Sequence, residues 1–133
     1  MISNKILNKT MTQEEKDLLL KDLCARLAYG VKIRTIEIWT NKSNKIEILK
    51  DIFIPEDNIP RCGEGGIPIE YIKPYLFPMS SMTKEQKIRI RAIQDMGPSY
   101  YHLLVDEYNE WHIDYRGLIP KKLAIDATDL NIY

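Results

Sequence analysis

Hydrophobic positions recur at helical spacing near the start of the chain. Leucines stand three or four residues apart over residues 19–27, which is typical of the buried stripe of an amphipathic helix. Thr12 and Glu15 have the spacing of a capping box, and Gly30 stands where a left-handed residue ends many helices. The pattern predicts a helix over residues 11–30, after a loose tail over residues 1–10. Its polar side would carry Glu15, Lys16, Asp22 and Arg26.

Alternating hydrophobic positions then predict strands. Val31 and Ile33 open one alternating run, and residues 41–44 have turn chemistry, so a β-hairpin is expected. Alternation over residues 67–71 predicts a third strand at the sheet edge. The β part, residues 31–75, would form a small bent antiparallel sheet, of which an SH3-like open barrel is one form. Its core would include the isoleucines of one parity, Ile46, Ile48, Ile52 and Ile54.

A proline-containing stretch over residues 69–83 separates this half from a helical half, residues 83–133. Pro74 and Pro78 argue against a helix interior or a central strand, yet the stretch is too apolar for a free linker. We therefore expect it to be packed between the halves.

The second half has two further helical patterns. A capping box at residues 83–86 predicts a helix running to about Met96, and Ser99 would cap another. Residues 123–127 predict a short strand. At 133 residues, the whole chain (1–133) is expected to form a single α+β domain: an N-terminal helix, the small sheet, and two or three C-terminal helices.

Composition excludes several classes of function. Charged residues make up 29% of the chain, and no run is apolar enough to span a bilayer. The net charge of zero argues against binding nucleic acid mainly through its phosphates. The first ten residues lack the apolar core of a secretory signal, so a cytoplasmic location is expected. No metal or cofactor is predicted, because the available thiols and imidazoles lack the spacing of a zinc site: Cys24, Cys62, His102 and His112.

Cations and aromatic residues in the helical half are candidates for ligand binding. Lys84, Lys87 and Arg91 share one helical face near a helix N-terminus, which would suit an anionic ligand; a solvated outer face has the same pattern. Tyr75 and Tyr101 belong to a concentration of aromatic residues that could stack on a nucleobase or pack in the core.

Three more candidates lie near the end of the chain. Arg116 precedes a glycine and could bind a carboxylate or phosphate through two hydrogen bonds, or hold loop carbonyls at a turn. His112 and Asp114 could act as a base and its orienting carboxylate. A histidine near a helix C-terminus is also favoured there by the helix dipole. No serine or cysteine nucleophile motif accompanies the pair.

Four segments of the sequence stand out together: residues 22–32, 73–83 (KPYLFPMSSMT), 114–119 (DYRGLI) and 123–127 (LAIDA). With these segments the chain resembles a family of small uncharacterised proteins encoded in gut-bacterial genomes, prophages and mobile elements. The resemblance implies a setting among accessory genes, where inhibitors and sequestering proteins are common, but it implies no particular chemistry.

Because no nucleophile, metal or cofactor motif is present, the sequence predicts a non-catalytic binding protein rather than an enzyme. We expect an accessory protein of phage or mobile-element type that sequesters a host protein or a small anionic ligand, such as a nucleotide signal, in a counter-defence role. The alternatives are a nucleic-acid-binding regulator and an enzyme using His112 and Asp114. Homo-oligomerisation stays open, since the aromatic helix could bury its side chains in a symmetric partner.

Overall fold

The computed structural model describes residues 11–35 and 46–133. The chain divides into two compact units, Met1–Pro74 and Tyr75–Tyr133. Its class is α+β, as predicted, with an N-terminal helix, a small mixed sheet of four strands, a second sheet of two strands, and C-terminal helices. No helix within the described residues is long and apolar enough to cross a membrane. The predicted tail and hairpin turn lie outside the described residues.

Helix α1 (Gln13–Arg26) begins at the predicted capping box. The Thr12 hydroxyl accepts a hydrogen bond from the Glu15 N–H at 3.1 Å, and the Glu15 carboxylate accepts one from the Thr12 N–H at 3.0 Å. A 3-10 turn (Leu27–Tyr29) continues the helix, and Gly30 follows it with a φ of +69°. Both predicted ends of the helix are therefore confirmed.

The buried side of α1 contains charges as well as leucines. Leu19 and Leu23 are fully buried, as the leucine stripe predicted. Asp22 and Arg26 are fully buried too, so their predicted place on the polar side was wrong. The Arg26 Nε donates to the Asp22 Oδ2 at 2.9 Å, one helical turn away. The burial of these charges is tolerated because the two compensate each other.

The first unit contains the two strands that were predicted to form a hairpin. Strand β1 (Lys32–Thr35) pairs antiparallel with β2 (Ile46–Ile48), while β3 (Arg61–Cys62) and β4 (Ile67–Pro68) form the separate small sheet. The predicted isoleucine core was wrong: among the described strands, β2 pairs with β1 alone, and it ends at Ile48. Of the four isoleucines, Ile46, Ile48 and Ile54 are exposed and Ile52 is half-buried. The buried side chains near these strands are Val31, Ile33 and Leu49.

Strand β5 (Ile72–Leu76) occupies the stretch that was predicted to be packed. Its residues 72–74 pair antiparallel with β1, and its residues 75–76 pair parallel with β6 (Ile125–Asp126). The strand order is β2-β1-β5-β6, so the sheet is mixed rather than purely antiparallel. Pro74 is buried inside this inner strand, contrary to the prediction. Its missing N–H falls where β5 changes its partner from β1 to β6, which limits the loss of hydrogen bonds.

The second unit contains helices α2 (Lys84–Asp95) and α3 (Tyr101–Glu110). The capping box of α2 is present as predicted, with Thr83 bonded to Gln86 in both directions. A 3-10 turn (Pro98–Tyr100) precedes α3, so Ser99 lies within that turn and does not cap the helix. The core of this unit includes Leu76, Ile90, Ile93, Ile113, Leu118 and Leu123.

Candidate functional site

The candidate side chains all belong to the second unit, but they lie in different elements. The three basic residues lie on α2, Tyr75 lies in β5, and Tyr101 is the first residue of α3. His112 and Arg116 follow α3. The candidates are Lys84, Lys87, Arg91, Tyr75, Tyr101, His112 and Arg116.

Helix α2 turns a basic face to solvent. We define this basic face as Lys84, Lys87 and Arg91, which are all exposed, whereas Ile90 and Ile93 on the other side of the helix are buried. Within the described residues, no ion pair engages any of the three cations. The helical spacing therefore predicted the placement of these cations correctly.

An exposed isoleucine stands among these cations. Ile88 has 60% of its surface exposed, although it lies one turn beyond Lys84 in a helix with two well-buried isoleucines. The neighbouring cation Arg89 points elsewhere, since its Nε pairs with the Glu107 Oε1 of α3 at 2.9 Å. The outer face of α2 thus combines three exposed positive charges with one large apolar side chain.

Tyr75 does not offer its ring to a ligand. Only 5% of the residue is exposed, and its backbone carbonyl accepts a hydrogen bond from the Tyr133 hydroxyl at 2.8 Å. The Tyr133 ring stacks on the His112 imidazole, with 3.8 Å between ring centroids, and it also contacts Phe77 at 5.6 Å. Tyr133 therefore brings two sequence candidates, Tyr75 and His112, into one cluster.

The backbone around His112 is held in an uncommon conformation. His112 has a φ of +58°, and its carbonyl accepts a hydrogen bond from the Phe77 N–H at 2.8 Å. The Phe77 carbonyl in turn accepts one from the Asp114 N–H at 2.8 Å. A non-glycine residue at positive φ costs free energy, which the surrounding hydrogen bonds must offset.

The Asp114 carboxylate is used by the turn that follows it. Its two oxygens accept hydrogen bonds from the Leu118 and Ile119 N–H groups, both at 2.8 Å, and only 5% of Asp114 is exposed. A carboxylate that accepts from successive backbone amides fixes a loop. This geometry gives Asp114 a structural task that is independent of the imidazole.

Arg116 packs on an aromatic stack. Its guanidinium carbon lies 4.5 Å from the centroid of the Tyr115 ring, and Tyr115 stacks on Tyr108 with 5.4 Å between centroids. Burial raises the pKa of Tyr108. Cation–π contact of this kind stabilises the orientation of an arginine. Tyr101, by contrast, is 48% exposed at the first position of α3.

Sequence reasoning missed Tyr133, Tyr115 and Tyr108 as partners of the candidates. Tyr133 lies 21 positions after His112 and Tyr108 lies eight positions before Arg116, so no local spacing links them to these candidates. Tyr115 directly precedes Arg116, and that adjacency was the one signal from which its contact could have been predicted. Another missed feature is Asn109, which is 3% exposed and whose side-chain oxygen has no hydrogen-bond partner among the described residues.

The cysteines differ sharply in their surroundings. Cys24 is exposed on α1, whereas Cys62 is buried in β3. Burial, reinforced by the negative charges of Asp51 and Glu47, raises the pKa of the Cys62 thiol to about 11. Within the described residues, no group of three or more histidine, cysteine or acidic side chains could hold a metal ion.

Comparison with known proteins gives no relative: no family model, no curated protein and no solved structure matches the chain. The resemblance to the gut-bacterial and mobile-element family therefore stays a prediction that rests on the four segments alone.

Proposed function

We propose that the protein is a non-catalytic, cytoplasmic binding protein of phage or mobile-element type, which sequesters a host protein by docking an acidic surface on the basic face of α2. The observation that carries this proposal is the set of three exposed cations around an exposed isoleucine. The resemblance of the four segments supports the accessory-gene setting and the counter-defence role.

The chemistry of the basic face favours an acidic protein partner. Ile88 would lose its contact with water on docking, and a buried apolar centre with a charged rim is the usual anatomy of a protein interface. Charge complementarity at the rim would speed association and select partners. Lysines are depleted at the centres of protein interfaces and are found at the rim. The lysines of the basic face should therefore lie at the rim around Ile88, and the partner should carry its carboxylates around the apolar surface that contacts Ile88.

A small anionic ligand is the second candidate. A nucleotide could pair with Lys84, Lys87 and Arg91, but these side chains lie on the outward surface of a helix. Ligand sites usually bury most of the ligand in a concave pocket. The exposed helix face therefore supports a protein partner better than a nucleotide.

A catalytic role for His112 and Asp114 has less support. Both Asp114 oxygens accept hydrogen bonds from backbone N–H groups of the following turn. A carboxylate that orients a base must accept from the imidazole N–H. The use of Asp114 by the turn therefore favours a structural role for this segment.

The test is a comparison of binding partners between two charge-reversed proteins. One carries Lys84→Glu, Lys87→Glu and Arg91→Glu; the matched control carries Lys21→Glu, Lys50→Glu and Lys121→Glu, which are exposed elsewhere and give the same net charge. A partner captured from host lysate by the wild type is identified, purified and titrated against each protein. We expect loss of binding with the first variant only, and weaker wild-type binding at high salt.

The outcomes separate the candidate functions. Equal binding by both variants would overturn the docking proposal. Heat release with a nucleotide panel in calorimetry, abolished by the basic-face reversal, would favour the small anionic ligand. Salt-sensitive retardation of random duplex DNA would favour the nucleic-acid-binding regulator.

A further inference from the structure

A cavity lies within the first unit, in a region to which the proposed function assigns no role. Its volume is about 180 Å³, and it is bounded by α1, by the loop before β3 and by the residues from β4 to the following 3-10 turn. Half of the ten lining residues are polar or charged, and the apolar half consists of Leu20, Ile59, Pro60, Pro68 and Ile69.

The volume of the cavity limits what it can hold. A dry apolar cavity of roughly 150 Å³ accommodates a benzene ring. Pockets for whole cofactors or drug-sized molecules are larger, at roughly 300–1,000 Å³. The cavity therefore encloses one ring-sized apolar group, and it is open to solvent at Ile59, which is 42% exposed.

The walls are held in place by the backbone. The Ile69 N–H donates to the Pro60 carbonyl at 3.1 Å, which joins two sides of the cavity. The Ile59 N–H donates to the Asp57 carboxylate at 3.0 Å, and the hydrogen bond from Arg61 lowers the pKa of that carboxyl. Prolines at two wall positions restrict φ. A site that is already formed loses little conformational entropy when a ligand enters.

The polar groups around the cavity are negative on balance. The Lys16 Nζ forms an ion pair with the Glu70 Oε2 at 3.5 Å, and the Gln13 side-chain amide donates a hydrogen bond to the Asp17 Oδ1 at 2.9 Å. The lining thus holds one cationic side chain and two carboxylates, which leaves a formal charge of one negative. Such a lining attracts a cation and disfavours an anion.

From this combination of size, walls and charge, we infer that the cavity is a binding site for a ring-sized apolar group with a cationic substituent. A free aromatic amine and a phenylalanine side chain beside a lysine in a peptide share this chemistry. The inference is independent of the basic face of α2, and either one can fail without the other.

The experiment uses methyl NMR of the full chain. Phenethylamine is titrated while the methyl signals of Leu20, Ile59 and Ile69 are followed, with phenylacetate as an anionic control and phenylethanol as a neutral one. We expect shifts confined to these methyl groups and a dissociation constant on the order of a millimolar for so few heavy atoms. Phenylacetate should bind at least about threefold more weakly.

A peptide arm distinguishes the two sources of the ligand. The blocked dipeptide N-acetyl-Phe-Lys-amide and its alanine analogue are titrated in the same way. Tighter binding of the dipeptide than of phenethylamine would identify a peptide side chain as the source. Binding of the amine alone would identify a free small molecule.

Two variants connect binding to the cavity. Glu70→Gln should weaken phenethylamine binding roughly twofold to fivefold and leave phenylethanol binding unchanged. Ile59→Trp should fill the cavity and abolish both. The matched Ile54→Trp should abolish neither, because Ile54 belongs to the same segment but does not line the cavity. Thermal unfolding of each variant checks that it is folded.

The inference is overturned by three results. One is the absence of shifts at the three methyl groups. Another is equal binding of phenethylamine and phenylacetate. The third is binding that persists in folded Ile59→Trp.

Discussion

The Tyr133 ring stacks on the His112 imidazole, with 3.8 Å between centroids and 16° between planes. The same tyrosine donates its hydroxyl to the Tyr75 carbonyl in β5 at 2.8 Å. One side chain therefore connects the last residues of the chain to the turn after α3 and to an inner strand. It also covers one face of the imidazole that the sequence marked as a candidate base.

We expect replacement of Tyr133 to destabilise the second unit in two separable steps. Tyr133→Phe keeps the ring and loses the hydrogen bond to Tyr75, at a cost of about 0.5–1.5 kcal/mol. Tyr133→Ala also loses the stacking contacts, so its total cost should be about 1–3 kcal/mol. Urea unfolding measures both. Tyr101→Ala, at an exposed position, is the control and should change stability by less than about 0.5 kcal/mol. Equal midpoints for Tyr133→Ala and the control would show that the stack contributes nothing.

The buried pair Asp22 and Arg26 leads to a second prediction. Asp22→Ala leaves a charged arginine without its carboxylate partner in the core and should cost about 3–5 kcal/mol. The double variant Asp22→Leu/Arg26→Met removes both charges, and should be far closer to the wild type or more stable. Chemical unfolding measures the stability of both variants. The control is Lys21→Ala on the exposed side of α1, which should change the free energy of unfolding little. A double variant as unstable as Asp22→Ala would contradict it.

Local chemistry explains which parts of the fold the sequence predicts well. The capping boxes at Thr12 and Thr83 and the left-handed Gly30 depend on residues within one helical turn, and all three are present. The outward direction of the basic face is likewise predicted by helical spacing alone. Interactions inside a single helix or its caps need no tertiary information.

Other features depend on contacts between distant residues, and sequence patterns did not predict them. Asp22 and Arg26 were predicted on the polar face of α1, because the hydrophobicity pattern does not show that two buried charges can pair with each other. Ile46 and Ile48 read as core, but an end strand leaves them exposed. Pro74 lies in β5 at the point where the pairing with β1 ends and the pairing with β6 begins, which depends on strands distant in sequence. The Tyr133 stack had no sequence signal, since 21 positions separate it from His112.

The raised pKa of Cys62 predicts a difference in thiol reactivity. At about 11, the pKa lies two units above the ordinary value of 9.0, so near neutral pH the thiolate is about a hundredfold scarcer. Cys24 is exposed and should react first with iodoacetamide, while Cys62 should react only after unfolding. Mass spectrometry of the labelled peptides measures both rates. Comparable labelling of the two cysteines in the folded protein would contradict the burial of Cys62.

The same pKa gives a direction for stability against pH. Because the folded state keeps the Cys62 proton to a higher pH than the unfolded state, the folded state binds more protons between about 9 and 11. The contribution of this thiol is therefore complete below pH 9.0 and is lost as the pH rises towards 11. Cys62→Ala should reduce that decline in the free energy of unfolding, whereas Cys24→Ala should leave it unchanged.

Asp114 provides the sharpest test of the segment that contains the candidate base. Its carboxylate holds the Leu118 and Ile119 N–H groups, so Asp114→Ala should cost about 3 kcal/mol or more by leaving two amides unbonded. Asp114→Asn retains one acceptor oxygen and should cost about half as much. The control is Asp126→Ala, because Asp126 also accepts a backbone hydrogen bond but is exposed. If Asp114→Ala unfolds no more easily than Asp126→Ala, the turn does not need this carboxylate, and the result would favour the predicted role of Asp114 as the orienting carboxylate of His112.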